Sequence, residues 1–202
     1  MDRARELGLE VIGCPLFRIE PAAWEAPDPA DYDALLLTSA NAIRQGGPGL
    51  DGLKGLPVHA VGKATAEAAR GAGFEVETVG RTDVAELLAK LPRSLHLLHL
   101  AGEDHRPTGA AKLDRRIVYR AAPIVDPGLP TLGGLVVAVH SPRSGARLSE
   151  LADGRAATSI AAISPATAEA CGPGWERVAI AAEPSDKSLL VLAAMLCQTS
   201  DQ

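Results

Sequence analysis

Aromatic residues are scarce. Six occur in 202 residues, Phe17, Trp24, Tyr32, Phe74, Tyr119 and Trp175, too few for a base-stacking platform. Positive charge is not in excess either. Lys and Arg number 20 against 25 Asp and Glu, for a net charge of -5, which excludes a generic nucleic-acid surface. The three cysteines, Cys14, Cys171 and Cys197, are scattered and odd in number, so neither a disulfide framework nor a zinc site fits. They read as packing residues, and a reducing cytoplasm is the simplest setting. No apolar run reaches the ~18–20 residues of a membrane helix. Met1-Asp-Arg-Ala-Arg-Glu opens with charge and no apolar core follows, so no signal peptide is expected. The glycine-rich Gly46-Gly-Pro-Gly-Leu-Asp-Gly follows a helix pattern instead of a strand and lacks a Walker lysine. It reads as a loop. No His pair has metal-ligand spacing such as H-E-x-x-H, and His59, His96, His99 and His105 read as structural or exposed. What remains is an ordinary globular composition, 47% hydrophobic and 22% charged, at a length that suits one large domain or two small ones.

The chain repeats itself. Ala64-Thr-Ala-Glu-Ala recurs unchanged as Ala166-Thr-Ala-Glu-Ala, 102 residues on. At that offset Ser39 falls on Ser141, Val76 on Val178, and Leu87-Leu88 on Leu189-Leu190. Each copy alternates short apolar runs with helical patterns. The first copy predicts strands at Tyr32–Thr38, Pro57–Val61 and Phe74–Val79, with helices from Ser39, over Ala64–Ala72 and over Val84–Leu91. The second predicts strands at Leu135–His140, Thr158–Ile163 and Arg177–Ala181, with helices over Arg143–Ala152, Ala166–Cys171 and Ser188–Cys197. The fold class that follows is α/β: two similar lobes with parallel sheets flanked by helices. Ser94–Ala101 reads as the strand that opens the second copy, and its counterpart falls before Met1. The first strand is therefore expected to be missing, with the chain starting in a helix over Asp2–Leu7. Two extended segments, Glu10–Glu20 and Arg116–Asp126, end alike in Glu20-Pro21 and Asp126-Pro127. They read as a two-stranded connector crossed twice by the chain, with the default binding site in a cleft between the lobes.

Four strand-to-helix turns carry the candidate binding groups. Thr38-Ser39-Ala-Asn pairs with His140-Ser141-Pro-Arg143-Ser144, and Gly62-Lys63-Ala-Thr65 pairs with Ser164-Pro-Ala-Thr167. Helix N-termini at the carboxyl ends of parallel strands attract anions, because free N–H groups and the helix dipole point outward. Plain helix capping accounts for the same serines and threonines, and the sequence leaves both readings open. Tyr119 lies on the expected connector, where a neutral phenol can give a proton or serve as an ordinary strand residue. Gly102-Glu-Asp-His105-Arg106 reads as a polar turn after a strand.

These motifs in this order, Leu-Leu-Leu-Thr38-Ser39-Ala-Asn, Val-Gly62-Lys63-Ala-Thr65, Leu-Leu-His99-Leu-Ala-Gly-Glu, Val-Tyr119-Arg, His-Ser141-Pro-Arg143-Ser144 and Ile-Ser164-Pro-Ala-Thr167, resemble the uroporphyrinogen-III synthase family. The resemblance covers nearly the whole chain. It implies a lyase that closes hydroxymethylbilane into uroporphyrinogen III, with inversion of ring D and loss of water, in haem and related tetrapyrrole biosynthesis. It further implies no cofactor, no metal, and a cytoplasmic monomer with no nucleic-acid or membrane partner. One lobe would span residues 22–117, and the other 1–21 with 122–202. Tyr119 would be the catalytic acid. Thr38, Ser39, Lys63, Thr65, Ser141, Arg143, Ser144, Ser164 and Thr167 would bind the substrate's eight carboxylates, with Arg44 and Arg147 as further cations. Two departures stand out. The family's first strand and its arginine-bearing turn have no counterpart after Met1. Ala166 stands where relatives often carry a threonine. The competing readings are a two-lobed small-molecule binding protein without catalysis, a fragment of a nucleotide-dependent enzyme, and an inactive paralogue of the synthase.

Overall fold

The computed structural model describes residues 2–81, 83–104 and 112–200. The chain divides into two compact units: Arg18–Ala122, and Met1–Phe17 with Pro123–Gln202.

The Arg18–Ala122 unit is built on a six-stranded sheet. Its strands are β1 (Phe17–Pro21), β2 (Ala34–Leu37), β3 (Val58–Val61), β4 (Val76–Gly80), β5 (Leu97–Gly102) and β6 (Leu113–Pro123), in the order β1-β6-β5-β2-β3-β4. From β6 through β5, β2 and β3 to β4 every neighbouring pair is parallel. β1 lies beside β6 at the edge. Flanking this pair, Ala22 N–H donates to the Val118 carbonyl and Ile124 N–H to that of Leu16, so sequence rises on one strand as it falls on the other. Helices α2 (Ala40–Gln45), α3 (Lys63–Gly71) and α4 (Val84–Ala89) follow β2, β3 and β4. The all-apolar run Ala34-Leu-Leu-Leu37 is buried throughout, as a central parallel strand must be. Leu35, Leu37, Val58, Ala60, Leu98 and Leu100 join Ala42, Ala66, Ala69 and Phe74 in one core. Alternate residues face the other way, which puts Leu36 in register with His59 on β3 and with His99 on β5.

Where a loop was expected after α2, residues Gly47–Leu53 wind as a 3-10 helix. Leu50 and Leu53 bury themselves in the core, and the Trp24 indole donates to the Gly46 carbonyl at 2.9 Å. A tertiary anchor therefore overrides the glycine-rich composition. The opening strand of the second copy starts at Leu97, three residues later than its apolar pattern suggested.

The second unit carries a three-stranded parallel sheet, β7 (Val136–Val139), β8 (Ser159–Ala162) and β9 (Arg177–Ile180), in that order. Its helices are α1 (Asp2–Glu6), α5 (Pro142–Leu151), α6 (Pro165–Ala170) and α7 (Asp186–Ser200). Ile160 and Ala162 pack with Val139, Leu148 and Cys171 on one face, while Ala161 meets Leu189, Ala193 and Leu196 on the other. α7 is 15 residues long against the six of its repeat partner α4, and it reaches all three strands. The 102-residue offset carries Ala34–Leu37 onto Val136–Val139 and the start of α2 at Ala40 onto that of α5 at Pro142. One correspondence is open: β2 has a neighbour on each side, β3 and β5, whereas β7 pairs with β8 alone among the described residues. No helix is long and apolar enough to cross a membrane among the described residues.

Candidate active site

Tyr119 sits on β6, half-buried against the core. Its hydroxyl has no hydrogen-bond partner among the described residues. What positions the ring is Gly102. The β5–β6 register slips between Ala101 and Gly102, which places Gly102 opposite Tyr119, and Glu103 N–H donates to the Tyr119 carbonyl at 3.0 Å. A Cβ at Gly102 would fall 2.6 Å from Tyr119 Cε2 and Cζ and 2.9 Å from its hydroxyl oxygen. No side chain fits there while the phenol lies across the strand. The Gly102-to-Arg106 segment was expected to be a polar turn. Glu103 and Asp104 do form a turn, while His105 and Arg106 lie outside the described residues.

Thr38 directly follows β2, and its Oγ1 lies 3.0 Å from Nε2 of His99, which is 1% exposed. Ser39 is the N-cap of α2 and accepts from Asn41 N–H at 3.2 Å. At α3 the expectation of a threonine cap does not hold. Gly62 caps that helix with φ +82°, a left-handed conformation that side-chain-bearing residues rarely adopt, and no side chain bonds the first N–H groups. Thr65 lies three residues further on, buried in the first turn. Lys63 opens the helix and is exposed. With Arg70 and Arg81 it lines a concavity of about 710 Å³, and none of the three cations has a side-chain partner among the described residues.

In the other unit the two turns share one arrangement. Ser141 caps α5, accepting from Ser144 N–H at 3.1 Å and donating to Ser144 Oγ at 2.9 Å. Ser144 Oγ therefore keeps its own proton for an outside acceptor. Ser164 caps α6, accepting from Thr167 N–H at 3.3 Å, with the two hydroxyls 2.9 Å apart. Thr167 is fully buried, so its side chain braces Ser164. The capping reading and the donor reading thus both describe Ser141 and Ser144, whereas Thr167 serves the cap. The Arg143 guanidinium stacks 4.5 Å over the Phe17 ring. Arg147, one of the expected cations, donates to the carbonyl of Ile124 at 2.9 Å and pairs with Glu150 at 2.8 Å. These bonds tie the segment after β6 to α5.

Two of the histidines expected to be structural or exposed are buried. His99 contacts a candidate site residue, and no sequence signal beyond its place on an apolar strand marked it. His59 is 2% exposed on β3, and burial pushes its imidazole pKa below the ordinary value, against a smaller upward pull from Glu77. Of the cysteines, Cys171 is buried with its thiol pKa raised by desolvation, while Cys197 is exposed and does not fill a core position. No group of three or more His, Cys, Asp or Glu side chains among the described residues could hold a metal ion.

Comparison with known proteins adds to this geometry. The chain is similar to a uroporphyrinogen-III synthetase from Helicobacter pylori 26695, at 19% identity over 90% of this chain and 91% of that one, with a TM-score of 0.64. That likeness shows the fold. A uroporphyrinogen III synthase from Thermus thermophilus aligns over 100% of this chain and 94% of that one at 19% identity, with a TM-score of 0.43. No curated protein matches the sequence. The family described as Uroporphyrinogen-III synthase HemD matches residues 1–191, which takes in both units and every strand-to-helix turn described above. With its parallel sheets flanked by helices and that match over nearly its full length, this chain belongs to the uroporphyrinogen-III synthase family.

Proposed function

We propose that the protein is a uroporphyrinogen-III synthase, a lyase that cyclises hydroxymethylbilane to uroporphyrinogen III in haem biosynthesis. The family match over residues 1–191 carries this reading, and the Tyr119 hydroxyl, without a hydrogen-bond partner among the described residues, supports it. The substrate must lose the terminal hydroxyl of its first ring. The Tyr119 phenol gives its proton to that hydroxyl, and the C–O bond breaks with release of water. The ring nitrogen gives up its own proton as the exocyclic C=C bond forms and a proton returns to the Tyr119 phenolate, so no net proton is consumed. The resulting azafulvene is attacked by the substituted carbon of ring D. The bond from that carbon to the methylene bridge of ring C then breaks, the bridge rejoins ring D at its unsubstituted α-carbon, and the proton lost there balances the one taken up by the azafulvene nitrogen, which closes the macrocycle with ring D inverted. Free substrate closes without inversion, so the protein's main task is to hold a flexible chain in one geometry. Positioning of this kind is worth several kcal/mol. General acid help adds roughly 10²–10⁴-fold.

The eight carboxylates of the substrate need donors. Lys63 offers a cation, and the uncapped N–H groups of α3 behind Gly62 lie beside it. Thr38, Ser39, Ser141 and Ser144 offer hydroxyls or capped turns, and Arg143 lies at the start of α5. Thr65, Ser164 and Thr167 shape the remaining turns. The reading further holds that the protein acts as a cytoplasmic monomer without a cofactor. A coupled assay tests it. Hydroxymethylbilane is generated in place, the chain is added, and the oxidised products are separated into type I and type III isomers. A dominant type III product is expected. Type I alone overturns the assignment.

A further inference from the structure

We propose that His99 is a positioning residue that aims the hydroxyl proton of Thr38 at the substrate. The inference rests on the synthase reading above. His99 lies on β5 in register with Leu36 of β2 on one side and Arg115 of β6 on the other. At 1% exposure its ring has no access to water as a competing partner. Its Nδ1 faces Arg115 Nε at 3.5 Å. A guanidinium has donors and no acceptor, so Nδ1 must hold the lone pair and the ring proton sits on Nε2. Nε2 lies 3.0 Å from Thr38 Oγ1 and so donates to it. A hydroxyl that accepts from a buried donor is left with its own proton to give. The order Arg115 to His99 to Thr38 therefore sets one direction for these two hydrogen bonds. The second ring nitrogen fixes the tautomer of the first, as in other buried histidine relays.

The consequence is specific. Thr38 stands at the carboxyl end of β2, next to the Ser39 cap and α2. With its oxygen satisfied from below, its O–H is a pre-aimed donor for a carboxylate side chain of the tetrapyrrole. Without His99 the hydroxyl can turn inward and serve as acceptor or donor elsewhere. The contact is made equally to bound substrate and to transition state, because the carboxylate does not react. Its loss therefore raises KM and leaves kcat unchanged.

The full chain is assayed for type III isomer formation with Thr38→Val, His99→Phe, His99→Gln and the Thr38→Val/His99→Phe double variant. Thr38→Val and His99→Phe each raise KM about tenfold, as expected for one lost hydrogen bond to a charged group, with kcat within twofold. The double variant is no worse than Thr38→Val. His99→Gln, whose amide can donate from near the Nε2 position, brings KM back to within about threefold of wild type. A variant that is only partly folded shows the opposite pattern, because fewer active molecules lower kcat at unchanged KM. If His99→Phe does not fold, His99→Gln and the nitrogen-15 spectrum of the wild-type imidazole decide, the latter expected to show the Nε2–H tautomer. A His99→Phe enzyme with wild-type KM, losses that multiply in the double variant, or an Nδ1–H tautomer overturns the inference while the synthase reading stands. A wild-type chain that makes no type III isomer overturns the synthase reading, and the inference with it.

Discussion

Gly102→Ala is the substitution that best tests the placement of Tyr119. An added Cβ would lie 2.6 Å from two ring carbons of Tyr119 and 2.9 Å from its oxygen. Ordinary carbon contacts lie at about 3.5–4.0 Å, so the ring must retreat by about 1 Å or the strand must shift by as much. Overpacking of this kind costs roughly 1–3 kcal/mol of stability. If the ring moves, the hydroxyl moves with it, and a displacement of about 1 Å at a reacting group costs on the order of 10²-fold in rate. Gly102→Ala should therefore lower kcat for type III formation about 10²-fold, with urea denaturation showing a folded protein that is moderately less stable. On the proposed acid role, Tyr119→Phe removes the donated proton and should lose roughly 10²–10⁴-fold. The two changes act through one atom, so the Gly102→Ala/Tyr119→Phe enzyme should be no slower than Tyr119→Phe alone. A Gly102→Ala enzyme with wild-type kcat, or losses that multiply in the double variant, would refute the claim that Gly102 exists to admit the phenol.

Other outcomes follow from single contacts. Ser164→Ala removes a cap and strands the buried Thr167 hydroxyl, so it should cost about 2–3 kcal/mol, against about 1 kcal/mol for Ser39→Ala, which loses only a cap. Urea denaturation giving the reverse order would contradict this. The lowered pKa of buried His59 means that the unfolded chain takes up a proton before the folded chain does. Its contribution is fully present above the ordinary value near 6.5 and is lost as pH falls from there through the lowered folded value. Melting temperatures at pH 5.5 and 7.5 should therefore differ less in His59→Gln than in wild type. Lys63→Met and Arg81→Met should each raise KM about three- to tenfold and flatten its dependence on salt, without change in melting temperature. Amides of β7 should exchange with solvent faster than those of β2, because β2 is flanked on both edges and β7 on one among the described residues.

Much of the fold was legible because its signals are local and repeated. Runs such as Ala34–Leu37 and Ser159–Ala162 are buried at every position, and each is followed by a helix whose start carries a serine or proline. The internal repeat then fixed the correspondence between copies. Less legible were features decided at a distance. Trp24 turns a glycine-rich stretch into a 3-10 helix from 22 residues away. His99 sits on an apolar strand, and only the pairing of β5 with β2 and β6 brings it to Thr38 and Arg115. Arg147 looks like a surface cation in sequence, yet two backbone carbonyls after β6 claim it. The candidate residues themselves were found by type and turn position. Which of them keep a proton to give away depends on partners that no spacing rule supplies.

The two copies of the repeat have diverged in how their helix starts are finished. α5 and α6 each carry a hydroxyl at the cap and a second one three residues on, bonded to each other. α3 keeps the second position as Thr65 but has Gly62 at the cap, in a left-handed conformation that would strain a serine. A Gly62→Ser exchange would therefore not restore the α6 arrangement without moving the backbone. The first N–H groups of α3 are left without a side-chain acceptor, and Lys63, Arg70 and Arg81 gather at the same concavity. A side-chain cap satisfies one of the unpaired N–H groups at a helix start, as Ser141 and Ser164 do, and α3 has no such cap. The units are thus related by sequence but not equivalent in chemistry. At the start of α3 no side chain caps the helix and three cations lie nearby, whereas at the start of α6 the Ser164 and Thr167 hydroxyls lie 2.9 Å apart.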